Sequence, residues 1–356
     1  MREAGPMRFS LMFFSGDAAG DAPYRLMLEA ARAADRLGFC AVWTPERHFT
    51  RFGGLFPNPA VTAAALAMIT ERVQLRAGSL VAPLHDVVRI AEDWAVVDQL
   101  SGGRVAISFG SGWNANDFVL FPDRYDRRHV VMYEQIEQLR RLWQDGAVTR
   151  INGTGRTIEI RTLPRPVQPQ LPLWITSSGN IDTFRSAGRL GAYVLTHMIQ
   201  QDRAGLAEKI DAYRRAWAVA GHDPDAGVVS LMLHTYLTTD AGRARETVRP
   251  WMREYLRSAV DLELQAAAAG GVISGGLEAP AQEIDPAVLE ELLDVTFDRY
   301  FETASLLGTV ETASAFVEQV ARLGIDEIAC LVDFGVERPL VLESLEHVAT
   351  LIRLWS

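Results

Sequence analysis

RFSLMFFSGDAAGDAPYRLMLEAARAADRLGFCAVWT, residues 8 to 44, holds one complete strand–helix–strand unit. An apolar run over 8 to 14 gives way to small and polar residues, after which Leu26, Ala30, Ala33 and Leu37 recur at helical spacing. Asp21 is placed to cap this helix, Pro23 suits its first turn and Gly38 can end it. The chain then enters a second apolar run, FCAVWT at 39 to 44, without a break. A helix that returns at once to a strand marks parallel β/α units.

The pattern repeats outward to the end of the chain. Further strands are expected at 73 to 80, 104 to 110, 171 to 177, 192 to 197, 228 to 237 and 327 to 334, which makes eight with the first two. Helices are expected at 59 to 70, 87 to 100, 127 to 145, 181 to 190, 203 to 220, 309 to 323 and 338 to 354. Length alone admits one domain with insertions or two smaller ones. Eight strands alternating with helices favour a closed (β/α)8 TIM barrel spanning 1 to 356. An open sheet would announce a dinucleotide fingerprint after its first strand, and FFSGDAAGDA lacks GxGxxG spacing. Two stretches depart from the alternation. Residues 147 to 162 alternate around Asn152-Gly153 and read as a β-hairpin insertion. Residues 241 to 308, with the glycine-rich AAAAGGVISGGLEAPA, read as a helical excursion after strand seven, either a lid over the barrel mouth or a plain insert.

A net charge of −10 and a pI near 5.3 argue against extended binding to nucleic acid or anionic lipid. No apolar run approaches the roughly 20 residues a membrane helix needs, and the amino terminus lacks a signal pattern, so a cytoplasmic protein is expected. Cys40 and Cys330 sit in apolar runs and read as buried free thiols. The chain has 34 arginines and one lysine, Lys209, whose polar-faced helix suggests a solvated amine and argues against Schiff-base chemistry.

In a barrel the active site is built from the loops after the strands. Strand two is followed by Glu46, Arg47 and His48, a polar constellation at a pocket mouth or a loop-tying pair. Strand three carries Gly78 and Ser79, and strand four ends in Gly110, Ser111 and Gly112, where bare backbone permits a flat ligand or a bulge. Trp113 and Asn114 follow, offering stacking and directional hydrogen bonds. Strand five runs into Ser177, Ser178, Gly179 and Thr183 at a helix start, which suits a phosphate and also an ordinary capping box. No HxH or HExxH spacing supports a metal site, and GxSxG is missing.

These residues resemble the bacterial luciferase-like flavin monooxygenases over nearly the whole chain. ERHFTRFGGLFPNP resembles the family's EHHF…FG…NP stretch, and LHDVVRIAEDWAVVDQLSGGRVAISFGSGW its HPVRxxEDxxxLDxxSxGRxxxGxxRG block. AGSLVAPLHD, SFGSGWNANDF and LPLWITSSGNIDTFRSAGRLGAYVLTHMIQQ look most like the subgroup associated with natural-product biosynthesis. The resemblance implies reduced FMN across the barrel mouth, its ring near Gly78, Ser79 and Leu80, where the family often has a non-prolyl cis peptide. It places Gly110, Ser111, Gly112 and Trp113 at the ring's border, Asn58 in the pocket wall, and the phosphate at Ser177, Ser178, Gly179 and Thr183.

The chain also departs from luciferase. Arg47 replaces the first of two adjacent histidines, so His48 matches the second. Ser111 replaces an arginine beside the phosphate, a loss that Arg165 or Arg189 is expected to cover. The resemblance implies O2 as co-substrate; from their shared location after strands two and four, His48 is expected to position the reacting oxygen or substrate, Arg47 to stabilise negative charge and Trp113 to close a wall. His85 and His197 fall near strand ends, whereas His129, His222, His234 and His347 are assigned to loops or packing. A small or carrier-tethered substrate of secondary metabolism, a separate flavin reductase and a homodimer formed around strands two to four complete the expectation. The rivals are a deazaflavin-dependent oxidoreductase of the same superfamily and a non-catalytic flavin-binding protein.

Overall fold

A computed structural model describes residues 6–14, 22–198, 201–268 and 286–356, with side chains for all of these except 262–268 and 286. In chain order the elements are β1 (Arg8–Met12), α1 (Arg25–Leu37), β2 (Ala41–Thr44), α2 (Pro59–Ala67), β3 (Gln74–Val81), α3 (Val87–Ser101), β4 (Val105–Gly110) and α4 (Arg128–Trp143). Next come β5 (Val148–Ile151), β6 (Thr157–Ile160), β7 (Leu173–Thr176), α5 (Ile181–Leu190), β8 (Tyr193–His197), α6 (Arg203–Val219) and β9 (Val229–Leu237). The chain ends with α7 (Ala241–Ala268), α8 (Pro286–Thr303), β10 (Leu306–Gly308), α9 (Val310–Arg322), β11 (Glu327–Leu331) and α10 (Arg338–Trp355).

Eight parallel strands run in the order β9-β11-β1-β2-β3-β4-β7-β8, and β8 pairs back onto β9, closing a TIM barrel. These are the strands expected from the sequence. β1 and β11, from opposite ends of the chain, lie side by side in the register Arg8↔Glu327 to Met12↔Leu331. Outside the barrel, β5 and β6 pair antiparallel, and short β10 extends the sheet beside the end of β9. The glycine-rich residues 269 to 285 lie outside the described residues.

Local signals acted as physics requires at most boundaries. Gly38 ends α1 with φ 92°, donating its N–H to Ala34 O, whereas Asp21 lies outside the described residues. Tyr24 occupies the N-cap position of α1 with no side-chain cap, and the buried face is Met27, Ala30, Ala31 and Ala34, one position off the expected stripe. Cys40 and Cys330 are free thiols, and burial pushes both up to about 12.

The barrel interior is not wholly apolar. Arg76 Nη1 on β3 donates to both oxygens of Glu327 on β11, at 2.8 and 3.0 Å, and Ser10 Oγ donates to Glu327 Oε1 at 2.7 Å. The guanidinium lies 4.7 Å from the ring centre of Trp43 and 4.5 Å from that of Trp174. Burial alone would push the Glu327 carboxyl up; Arg76, Arg8 and the Ser10 hydroxyl hold it below its ordinary range instead.

The long block around strand four braces the barrel's base. Asp98 accepts the Val167 and Gln168 backbone N–H groups at 2.6 and 2.9 Å, and Arg104 donates to the Val73, Thr70 and Ser101 carbonyls. All of these contacts lie at strand starts, away from the mouth where the loops after β2, β3, β4 and β7 meet.

Candidate active site

At the end of β2 the chain turns through Pro45 into Glu46, whose carboxylate is fully buried. A buried carboxylate survives only with partners, and this one has three. His48 Nε2 donates to Oε1 at 2.9 Å, His85 Nε2 donates to the same oxygen at 2.6 Å, and the Val81 N–H donates to Oε2 at 2.7 Å. Burial pushes the Glu46 carboxyl up, but the histidine and backbone hydrogen bonds outweigh it and hold the group below the usual range. The same hydrogen bond raises the half-buried His48 above its ordinary value. His85, reached from the end of β3, was only a secondary candidate in the sequence.

Arg47 does not pair with Glu46. Its guanidinium stacks 4.2 Å from the ring centre of Phe14 and 5.2 Å from that of Phe52, and its Nε is buried without a hydrogen-bond partner. Tyr255 of α7 packs edge-on against Phe52, with ring centroids 5.1 Å apart, so the insertion helix covers this loop. Asp117, in the 3-10 turn after β4, accepts from Asn114 Nδ2 at 2.9 Å. Burial pushes Asp117 up to about 6, against the pull of His48 and Arg47. Trp113 is half-buried beside this turn and does not belong to the core.

The ends of β3, β4 and β7 are tied by hydroxyls. Thr176 Oγ1 lies 2.5 Å from Ser79 Oγ and 2.6 Å from Ser108 Oγ. The Gly78-Ser79 peptide is cis, at the point where the β3–β4 register shifts. The glycines here have different causes. A Cβ on Gly78 would stand 2.9 Å from Trp43, and one on Gly112, at φ 80°, would stand 2.8 Å from Phe118, so protein packing accounts for both. Gly110 has no such close neighbour: its Cβ would meet Ser79 at 3.6 Å and the Leu80 carbonyl at 4.0 Å, both at ordinary contact distance, leaving an open edge. Ser111 follows it half-buried, and Leu80 is buried in the core.

After β7, Ser177, half-buried Ser178 and Gly179 lead into α5, which Asn180 caps through Asp182 N at 2.8 Å. Gly179 adopts φ 129°, and its N–H lies 3.4 Å from Ser177 Oγ. Thr183 sits half-buried in the first turn of α5. Asn58 caps α2, its side-chain oxygen accepting from Ala60 and Val61 N–H at 2.9 and 3.3 Å.

Neither expected arginine reaches the loop at 177 to 180. Arg165 donates to the Leu142 and Trp143 carbonyls at the end of α4, and Arg189 lies in the last turn of α5, bonded to Ser186. The cation beside the loop is Lys209, half-buried on α6 rather than solvated, with Nζ 3.5 Å from the position of a Cβ on Gly179. Its signal in the sequence was its singularity, and periodicity could not say which way it turned. His234 is packed among Tyr255, Tyr300 and Phe334, as a packing residue should be, and burial lowers it to about 3. Among the described residues no cluster of His, Cys, Asp and Glu could hold a metal ion.

The sequence profile of the luciferase-like monooxygenases matches residues 7–327. Among curated proteins, the chain is 30% identical over 179 residues to the oxygenase component of the flavin-dependent trigonelline monooxygenase of Acinetobacter baylyi, covering 48% of this chain and 49% of that one. It is 25% identical over 236 residues to the alkanal monooxygenase alpha chain of Photorhabdus luminescens, covering 66% of this chain and 64% of that one. The crystal structure of monooxygenase RslO1 from Streptomyces bottropensis superposes with a TM-score of 0.77 at 24% identity, covering 98% of this chain and 100% of that one, and so shares its fold. With nearly the whole barrel matched and its strand-end loops in place, the chain belongs to the luciferase-like monooxygenases, a family of oxidoreductases.

Proposed function

We propose that this protein uses reduced FMN and O2 to oxygenate a small organic or carrier-tethered intermediate of secondary metabolism, with the reduced flavin delivered by a separate reductase. The observation that carries this reading is the meeting of Gly110's open edge, the Ser79–Thr176–Ser108 hydroxyls and the loop at 177 to 180 on one rim of the barrel. The open edge suits a flat ring, while the hydroxyls, N–H groups and amine of the second loop suit a phosphate. Both features fit FMN. A trigonelline relative named as an oxygenase component supports a two-protein arrangement.

Reduced FMN supplies the electrons for oxygen chemistry when bound. The chain's part is positioning and exclusion. Glu46, holding His48 by Nε2, favours the protonated form of the ring, which can then hold or donate a proton at Nδ1 to an oxygen atom at the mouth. Arg47, fixed between two rings with an unspent donor, offers positive charge to an anionic group. Trp113 walls one side, and α7, with Tyr255 against Phe52, acts as a lid that keeps water out.

A homodimer is proposed through α2 and α3, which pack on each other while exposing Val61, Met68, Val96 and Leu100. A cytoplasmic location is proposed as well; no helix among the described residues is long and apolar enough to cross a membrane. Light scattering that returned the mass of a single 39.3 kDa chain would remove the dimer.

Anaerobic titration with reduced FMN, followed by oxygen, tests the activity. Tight binding followed by rapid oxygen consumption supports the oxygenase. Failure to bind FMN redirects the assignment to a deazaflavin, and binding without sustained turnover in the presence of a reductase and substrates leaves a flavin carrier.

A further inference from the structure

A phosphate monoester carries close to two negative charges, and a helix N-terminus with hydroxyls offsets only part of them. The loop at 177 to 180 has no cation of its own. The first turn of α5 adds a carboxylate, Asp182, but this group is 76% exposed and paired with Arg185 at 2.8 Å. The missing charge comes from a different β/α unit. Lys209 Nζ on α6 lies 3.5 Å from the position of a Gly179 Cβ and 3.7 Å from that of a Gly205 Cβ.

The amine is held in place by a short chain of hydrogen bonds. Lys209 Nζ donates to Gln201 Oε1 at 2.8 Å, and Gln201 Nε2 donates to the His197 carbonyl and, at 3.3 Å, to Thr196 Oγ1. Thr196 Oγ1 donates in turn to the Ser177 carbonyl at 2.9 Å, which returns the chain to the loop itself. Gln201 is neutral, so it takes one of the ammonium's three donors and none of its charge. The nearby carboxylate of Asp202 caps α6 through Gly205 N at 2.8 Å and makes no ion pair with Lys209. A compact ammonium on a flexible stem lies beside Gly179, where the wider arginine fork would present its donors in a different geometry.

We infer that Lys209, oriented by Gln201, is the residue that recognises the terminal phosphomonoester of the flavin and so distinguishes FMN from uncharged riboflavin. The inference rests on the FMN reading above. Its test is anaerobic titration of the whole protein with reduced FMN and, separately, reduced riboflavin, for the native chain and for Lys209→Met and Lys209→Arg. The native protein is expected to prefer FMN. Lys209→Met should weaken FMN binding by about ten- to a hundredfold, the scale of one charge-assisted hydrogen bond, and leave riboflavin binding and the melting temperature unchanged. Lys209→Arg should retain part of the preference. An unchanged FMN preference in Lys209→Met, or an equal loss for both ligands, overturns the role of Lys209 while leaving the FMN reading intact. A native protein that binds neither flavin overturns that reading, and this inference with it.

Discussion

His85 Nε2 and Glu46 Oε1 meet at 2.6 Å, joining the loop after β3 to the loop after β2 through a carboxylate with no solvent exposure. With His48 on the same oxygen and the Val81 N–H on the other, Glu46 organises half of the barrel mouth. His48, the residue proposed to touch a ligand, takes both its orientation and its raised proton affinity from its bond to Glu46.

The first prediction concerns pH. His48 is raised by its bond to Glu46, so the stabilisation it brings is complete below the unfolded value of about 6.5 and is lost as pH rises through the higher folded value. Glu46 is lowered, so its contribution is present above the ordinary carboxylate range and disappears as pH falls through the depressed value. The contact is therefore strongest in mildly acidic solution. In an NMR titration the His48 midpoint should lie above 6.5 and fall to or below it in Glu46→Gln, which should also lose about 2–4 kcal/mol in urea unfolding. A midpoint indifferent to the substitution removes Glu46 as its cause.

Asp117 titrates with the opposite consequence. Burial raises it to about 6, so the folded state binds its proton more tightly than the unfolded chain does. Stability should then decline as pH rises from about 3.9 to that value and stay flat above it. Asp117→Asn should remove the decline and gain on the order of 1 kcal/mol at about pH 8 after allowance for solvent screening, with little change at about pH 4. Parallel unfolding curves for the two proteins across this range would contradict it.

The two glycines around Ser111 should respond differently to alanine. At Gly112 a Cβ meets Phe118 at 2.8 Å and Val81 at 2.9 Å with φ 80°, so Gly112→Ala should cost about 1–3 kcal/mol. Gly110→Ala adds a methyl 3.6 Å from Ser79 and should fold normally, yet weaken flavin binding by narrowing the open edge. Thermal melts together with flavin titration separate the two; a Gly110→Ala protein that binds flavin at native strength places the ring elsewhere.

The Arg76–Glu327 pair supports a double-mutant cycle. Glu327→Leu alone leaves a buried guanidinium uncompensated and should cost about 3–5 kcal/mol, whereas Arg76→Met combined with Glu327→Leu should recover most of the loss. Simple addition of the two single losses would show that the pair is not coupled.

Much of the architecture was legible because strand and helix periods are local. RFSLMFF and FCAVWT announce β1 and β2 by composition, although β1 stops at Met12 and β2 starts at Ala41. Short β10 was missed because three residues, Leu306 to Gly308, are too few to show a period and are strand only by leaning on β9. At the mouth, the residues Glu46, His48, Ser79 and Ser177 could be named, but not their partners: Glu46 finds His85 across 39 positions, and Ser79 finds Thr176 across 97.

The sequence by itself determined the eight-strand alternation, the family and the loops that carry the candidate chemistry, since each is written in short-range patterns and in one long motif block. Only the tertiary structure decided that Arg76 and Glu327 share the barrel interior, that Arg47 stacks on Phe14 and Phe52 instead of pairing with its neighbour, and that Lys209 turns toward Gly179. The physical reason is closure. Periodicity tells which face of an element is buried, but which side chain waits on that face is set when strands from both ends of the chain come together in one ring.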